Sequence, residues 1–311
     1  MNPLITIVGP TAVGKTDLTL ELAHELHGEV ISGDAYQVYK QLNIGTAKPS
    51  AQELLRIRHH LIDILEPDDS YSVSIFQSQA RYIIDELSFR KILPILSGGT
   101  GLYVQSLLEN YNFNDVKPDE SLRASLDKLY ERDGIEGLRK YARQLGKANH
   151  IDILYTDKHR LYRSIEILHH GDVESLLNQT KDGLSYKGPP VIGLMRNRDE
   201  LYERINLRVD MMFDAGLVDE VQRLVESGVN PACQAFKGIG YKEVVEYLKG
   251  GSITIDTCRE LIKKNTRHFA KRQITWYKRM PYIQWIYIDD TTSKDYIFNT
   301  AMELIHREGL V

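Results

Sequence analysis

The chain has 311 residues, of which 42% are apolar and 26% charged, a mix that supports a sizeable core and does not indicate disorder. A net charge of −4 argues against a general nucleic-acid binder, and the two distant cysteines, Cys233 and Cys258, form neither a disulfide framework nor a zinc cluster. No stretch approaches the roughly 20 apolar residues that span a bilayer, so a cytoplasmic chain with no membrane partner is expected.

Leu4 to Val8 reads as a buried strand. Thr16 to Leu26 carries Leu18, Leu22 and Leu26 at spacing four, one face of a helix. Val30-Ile31 is a short second strand, ended by Ser32-Gly33-Asp34. Ile75 to Leu87 predicts a helix, and Lys91 to Leu96 a third strand ended by Ser97-Gly98-Gly99-Thr100-Gly101. This alternation implies an α/β fold, a parallel sheet with helices on both faces. From about Asp115 the texture changes. Residues 119–147 are highly charged with helical period, and no strong strand follows until Val191-Ile192-Gly193-Leu194. Residues 114–189 read as a mostly helical insertion between core segments 1–113 and 190–311, with Asn178 to Pro190 as its exit linker. Leu201, Ile205, Val209 and Met212 then mark one face of a helix. A short strand, Gln284 to Ile288, and a last helix close the chain.

Gly9-Pro10-Thr11-Ala12-Val13-Gly14-Lys15-Thr16 matches G-x-x-x-x-G-K-[ST], with a strand before it and an amphipathic helix after it, as a phosphate-binding loop requires. Glycines let backbone N–H groups converge on phosphate oxygens, and the helix N-terminus adds partial positive charge. Lys15 supplies a full charge and Thr16 a hydroxyl for Mg2+. ATP hydrolysis usually needs an acid at the end of a core strand. The third strand ends in Gly98-Gly99-Thr100, without one. The acid at a strand end near the loop is Asp34. It suits a general base beside the phosphates, and equally a turn or helix-capping aspartate.

Between Arg259 and Arg279, eight basic residues face the single acid Glu260, giving +7 and leaving −11 for the rest of the chain. Lys263, Arg267 and Lys271 share a helix face, where like charges repel unless a polyanion faces them. With Lys271 and Arg272, and with His268, Trp276 and Tyr277 interleaved as possible stacking surfaces, the run points to nucleic acid rather than to a solvated face. Arg160 with Arg163, and Arg204 with Arg208, either clamp phosphates or ion-pair with Asp157, Glu203 or Asp210; taken singly, ion pairing is the simpler reading. His59-His60 with Asp63 lacks further ligands at metal spacing and reads as structural.

Several segments, in order along nearly the whole chain, resemble the tRNA dimethylallyltransferase family. They include Gly9–Thr16, Ser32-Gly33-Asp34-Ala35-Tyr36-Gln37-Val38-Tyr39, Gly45-Thr46-Ala47-Lys48-Pro49, Gly98-Gly99-Thr100-Gly101-Leu102-Tyr103, Ile239-Gly240-Tyr241-Lys242-Glu243 and Ala270-Lys271-Arg272-Gln273-Ile274-Thr275-Trp276. The resemblance implies a P-loop core, a helical insertion, and a tRNA anticodon stem-loop as partner. It implies dimethylallyl diphosphate as donor and N6 of the adenosine 3′ of the anticodon as acceptor. By the same resemblance, Asp34 takes the N6 proton, while Lys15 and Thr16 hold the diphosphate. Asp34-Ala35-Tyr36-Gln37, Thr100, His159-Arg160-Leu161-Tyr162-Arg163 and Lys237-Gly238-Ile239-Gly240-Tyr241-Lys242 correspond to tRNA-contacting segments, and Arg123 to a looser RNA contact. Two departures stand out. Ala35 replaces the family's usual serine, and Thr156-Asp157-Lys158-His159-Arg160 replaces Asn-Asp-Pro-Gln-Arg.

The expected reaction brings an unstacked adenine to a donor held at the loop, with Arg204 or Arg208 adding to diphosphate stabilisation and no ATP consumed. A monomer is expected. A small-molecule kinase, a nucleotide-sensing RNA-binding switch and a prenyltransferase of free adenine nucleotides remain as rivals.

Overall fold

A computed structural model describes residues 3–113, 119–171, 186, 190–250 and 253–309. The expected exit linker, 178–190, lies outside the described residues except for Tyr186 and Pro190. The chain divides into two compact units, Met1–Leu108 with Leu184–Val311, and Glu109–Gly183.

In the first unit the elements run β1 (Ile5–Val8), α1 (Lys15–Glu25), β2 (Glu29–Ser32), α2 (Ala51–Arg56), β3 (His59–His60), α3 (Val73–Phe89), β4 (Pro94–Gly98) and α4 (Gly101–Leu108). The second unit contributes α5 (Glu120–Ala148), broken at Gly134, and α6 (Lys158–His169). The first unit resumes with β5 (Val191–Met195), α7 (Arg198–Asp214), α8 (Leu217–Glu226), a 3-10 turn (Ala235–Lys237), α9 (Tyr241–Leu248), α10 (Ile255–Tyr277), β6 (Ile283–Tyr287) and α11 (Lys294–Arg307).

The six strands form one sheet of order β3-β2-β4-β1-β5-β6, every neighbouring pair parallel. Its strands read as near-continuous apolar runs because both faces are covered. Adjacent side chains go to opposite cores: Val8, Ile31 and Leu96 to one, Ile7, Val30 and Ile95 to the other. Leu18 and Leu22 of α1 and Leu201, Ile205 and Val209 of α7 are buried as their spacing predicts, while Leu26 and Met212 are only half-buried. The second unit has its own core, with Leu138, Leu161 and Ile165 fully buried.

One strand is misplaced by sequence periodicity. Lys91 to Leu93 do not join β4: Lys91 and Ile92 close the preceding helix, and Leu93 lends its carbonyl to the Glu29 N–H. The N–H groups of Arg90, Lys91 and Ile92 donate to Glu86, Ser88 and Leu87, with Lys91 at φ 58°. The strand starts at Pro94 and runs on into Ser97-Gly98. That extension carries the chain to the carboxyl edge of the sheet, beside the ends of β1 and β2.

Candidate active site

The loop after β1 needs its glycines for two different reasons. A Cβ on Gly9 would sit 2.7 Å from the Leu194 carbonyl oxygen, so β5 excludes any side chain there. Gly14, at φ 113°, turns the chain in the left-handed region to start α1 at Lys15. The Lys15 Nζ donates to the carbonyls of Gly9 (2.9 Å) and Pro10 (2.8 Å). Thr16 stands exposed in the first helical turn. This is a helix N-terminus with converging N–H groups, an anion site by construction.

Asp34 follows β2, which β4 separates from β1 in the sheet. Its Oδ1 accepts the N–H groups of Tyr36 (2.8 Å) and Gln37 (3.2 Å), so it does close a turn, one of the two roles open from sequence. Those bonds also fix its orientation toward a cavity it shares with the phosphate loop. Gln37 ties the turn down: Ser32 Oγ donates to its Oε1 at 2.9 Å, and its Nε2 donates to the carbonyls of Thr46 and Ala47. Ala35 N donates to Thr100 Oγ1 at 3.2 Å, so Thr100 braces the turn from the end of β4.

The cavity measures about 370 Å³, within the size range of small-ligand sites. Thr11 to Thr16 form one wall, Asp34 and Gln37 another, and Ser97-Gly98-Gly99 the floor; Arg204 and Arg208 also line it. Arg204 Nε donates to Ala12 O at 3.0 Å, and Arg208 Nη1 reaches Thr11 Oγ1 at 3.5 Å. The surface ion pairing considered for them with Glu203 or Asp210 is therefore not what the fold makes; Asp210 pairs instead with Arg259 and Lys263. Helix α7 also brings Leu207 and Met211 to the cavity, 62% and 61% exposed, and α10 adds Phe269, an apolar wall facing the ionic one.

These groups perturb one another. Burial and then Arg208 push the Lys15 ammonium down to about 7, with Asp34 pulling the other way. Burial raises the Asp34 carboxyl above the ordinary aspartate range, against the Tyr36 and Gln37 N–H groups, Lys15 and Arg208. Burial also lowers Arg208, countered by Asp34. A base strengthened by desolvation, beside a cation cluster starved of counter-charge, is a pattern of reaction sites.

Sequence reasoning missed two polar hubs. Gln273 is 4% exposed; its Oε1 accepts Thr11 N–H at 2.8 Å and its Nε2 donates to Gly99 O at 2.8 Å. The available signal was a lone amide on the buried stripe Ala270, Gln273, Tyr277. Glu220, 4% exposed, accepts from the N–H groups of Asn43, Ile44 and Gly45 and from Tyr241 Oη at 2.7 Å, holding the turn at Asn43–Gly45 against the start of α9.

Other expected contacts divide by exposure. Tyr277 is fully buried and donates to Gly98 O, so it offers no face for base stacking, while Trp276 is half-buried with its indole edge against Gly101. Along the basic helix, Arg259, Lys263 and Arg267 are engaged by Asp210, Glu260 and Asn206. Lys264, His268, Lys271, Arg272, Lys278 and Arg279 are exposed, so an unneutralised face remains. Lys237 and Lys242 are exposed, Ile239 is half-buried, and Gly238, Gly240 and Tyr241 are buried. In α6, His159 and Arg160 are exposed, Arg160 lying 3.5 Å from Asp157, while Arg163 is half-buried and Leu161 and Tyr162 belong to the second unit's core. Arg123 is held by the buried Glu166 through Nε (2.6 Å) and Nη2 (3.1 Å). His60 bonds Glu29 and His59 the Ile57 carbonyl; among the described residues no set of three metal-ligating side chains forms. Nor, among them, is any helix long and apolar enough to cross a membrane.

A P-loop-type α/β fold with a half-buried carboxylate beside the phosphate loop and a basic helix at its margin defines a group-transfer enzyme of the nucleotide-handling class. Known proteins narrow this. The IPP transferase family model matches residues 37–280 and the isopentenyl transferase model residues 2–67. A tRNA dimethylallyltransferase of Alkaliphilus metalliredigens is 41% identical over 296 residues, covering 94% of each chain. That of Bacillus subtilis is 42% identical over 286 residues, 91% of this chain and 90% of its own. Among solved structures, a tRNA isopentenylpyrophosphate transferase from Bacillus halodurans is 37% identical with a TM-score of 0.73, covering 99% and 98%. A eukaryotic dimethylallyltransferase acting on tRNA is 25% identical with a TM-score of 0.83, covering 100% of this chain and 80% of its own. The chain belongs to the IPP transferase family of tRNA-modifying prenyltransferases.

Proposed function

We propose that this enzyme transfers the dimethylallyl group of dimethylallyl diphosphate to N6 of the adenosine immediately 3′ of the anticodon in tRNA, in the cytoplasm and as a monomer. The observation that carries the reading is the single cavity lined by both the phosphate loop and Asp34.

The donor's diphosphate lies against the loop N–H groups, Lys15 and Thr16, with Arg204 and Arg208 on its flank. Its isoprenoid tail meets Leu207, Met211 and Phe269. The target adenine leaves its stack in the anticodon stem-loop and enters beside Asp34. Bond making and breaking then balance: N6 forms a bond to the allylic C1, C1–O breaks, diphosphate leaves with the electron pair, and Asp34 takes the N6 proton. Arg208, Lys15 and the loop dipoles stabilise the departing charge. Asp34, lifted above the ordinary aspartate range by burial, is a better proton acceptor than a solvated carboxylate.

Magnesium fits this donor set. Thr16 offers one hard oxygen at the cavity, and a small cation that keeps its waters takes its other ligands from phosphate. Bound there, it would neutralise leaving-group charge. For RNA, the reading uses Asp34 to Gln37, Thr100, His159 to Arg163 and Lys237 to Lys242, with Lys271 and Arg272 on the exposed basic face. The Arg123 contact competes with Glu166 and is the weakest member of that set.

Mass spectrometry of nucleosides from tRNA incubated with the enzyme, magnesium and dimethylallyl diphosphate tests it. N6-dimethylallyladenosine 3′ of the anticodon is expected. Phosphorylated product from labelled ATP, or nucleotide-dependent RNA affinity without a modified base, would replace it with a kinase or a binding switch.

A further inference from the structure

The buried amide of Gln273 lies between two loops that the chemistry needs in fixed relation. It sits on α10, with Ala270 and Tyr277 buried on either side. Its two bonds reach residues 262 and 174 positions away in sequence, Thr11 in the phosphate loop and Gly99 after β4. One partner is a donor and the other an acceptor. Only a group with both functions at opposite corners satisfies both, and the pair fixes which way the amide faces.

From Gly99 the connection continues to Asp34. The next residue, Thr100, accepts Ala35 N–H on Oγ1 and donates its own N–H to Gly33 O. Asp34 is thus bracketed by two residues that Thr100 holds. On the other side, Thr11 is the residue that Arg208 reaches. A turn further along α10, Tyr277 Oη donates to Gly98 O, so the helix grips the β4 end twice.

We propose that Gln273 is a positioning residue: it locks the phosphate loop to the Gly99-Thr100 loop, and so sets the leaving diphosphate and the Asp34 carboxylate in one register. The proposal rests on the prenyl-transfer reading above. Breaking the lock leaves the loop's anion-binding groups and the RNA-facing basic residues in place. Binding persists and the bond-forming step slows, because group transfer tolerates little misplacement of reacting atoms.

Two variants test this in steady-state transfer assays with dimethylallyl diphosphate and tRNA. Gln273→Met keeps the shape and removes both bonds; kcat should fall roughly 10- to 100-fold while both KM values stay within about threefold. Gln273→Glu supplies a chemical switch. Protonated, its carboxyl offers a carbonyl to Thr11 and an O–H to Gly99, as the amide does. Ionised, it cannot donate and repels the Gly99 carbonyl. The Gln273→Glu to wild-type ratio of kcat should therefore rise as pH falls, while the Gln273→Met ratio stays flat. Taking ratios cancels the pH dependence that both enzymes share, and the uncharged Gln273→Met variant controls for the ionisable and charged groups that line the same cavity, Lys15, Asp17, Asp34, His59, Arg204 and Arg208.

If wild type forms no N6-prenylated adenosine, the underlying reading falls and this one with it. If wild type is active but Gln273→Met matches its kcat, or raises KM alone, the positioning role is overturned. A flat Gln273→Glu ratio in a folded variant overturns it too; if that variant does not fold, the kcat against KM division in Gln273→Met decides.

Discussion

Donor binding should take up a proton at Lys15. The ligand-free ammonium is pushed down to about 7 by burial and Arg208, so at neutral pH it is half neutral. A bound diphosphate brings the opposite charge and returns the group toward the ordinary lysine value of about 10.5. The ligand-free protein then holds fewer protons than the complex above pH 7, so affinity must fall as pH rises. With those two values, binding weakens roughly 50-fold between pH 7 and pH 9, close to tenfold per unit at the upper end. Calorimetry with a non-reactive prenyl diphosphate analogue at pH 7, 8 and 9, in buffers of different ionisation enthalpy, reads both the affinity and the protons taken up. Lys15→Arg, charged throughout, should lose the slope. A wild-type affinity independent of pH, or an equal slope in the arginine variant, would refute the argument.

Reversing Lys271 and Arg272 to glutamate should loosen tRNA and reduce the salt dependence of binding by about 2 units of slope, measured by filter binding across a KCl series. Lys263→Ala, already paired with Asp210 and Glu260, should change it far less. Arg123→Ala should destabilise the second unit by about 2–3 kcal/mol in chemical denaturation, because Glu166 is left buried with weaker partners. Against the larger opposing push of burial, Arg123 and the Asp119 N–H hold Glu166 below the ordinary glutamate range. That pairing therefore stabilises the fold above the unfolded glutamate pKa and is lost as pH falls through the lower folded value. Glu220→Gln, which cannot accept three N–H groups and Tyr241 Oη with full charge, should cost about 2–3 kcal/mol, read as a lower Tm.

The phosphate loop and β1-α1-β2 were legible because each signal is local: a glycine pattern, a strand before it and an i, i+4 stripe after it. The start of β4 was not, because Lys91 and Ile92 look like strand residues but are spent capping α3. Side-chain roles across the fold were harder. Arg204 and Arg208 have acids as near neighbours in sequence, and only the packing of α7 against the loop turns them to Ala12 and Thr11. In the basic run, charge counting could not separate Lys263, neutralised by Asp210 from another helix, from Lys271, which is exposed. Helical phase does part of that work, since Tyr277 shares the buried stripe with Ala270. Gln273 was visible as a motif letter, but its two partners are far away in sequence, and no periodicity points to them.

Everything turns on the carboxylate beside the phosphate cradle accepting the amine proton. Single-turnover formation of N6-dimethylallyladenosine by Asp34→Asn, with donor and tRNA both saturating, tests it most directly. A loss of roughly 10²- to 10⁴-fold is expected, with both dissociation constants within a few-fold of wild type. A rate near that of the wild type would contradict it.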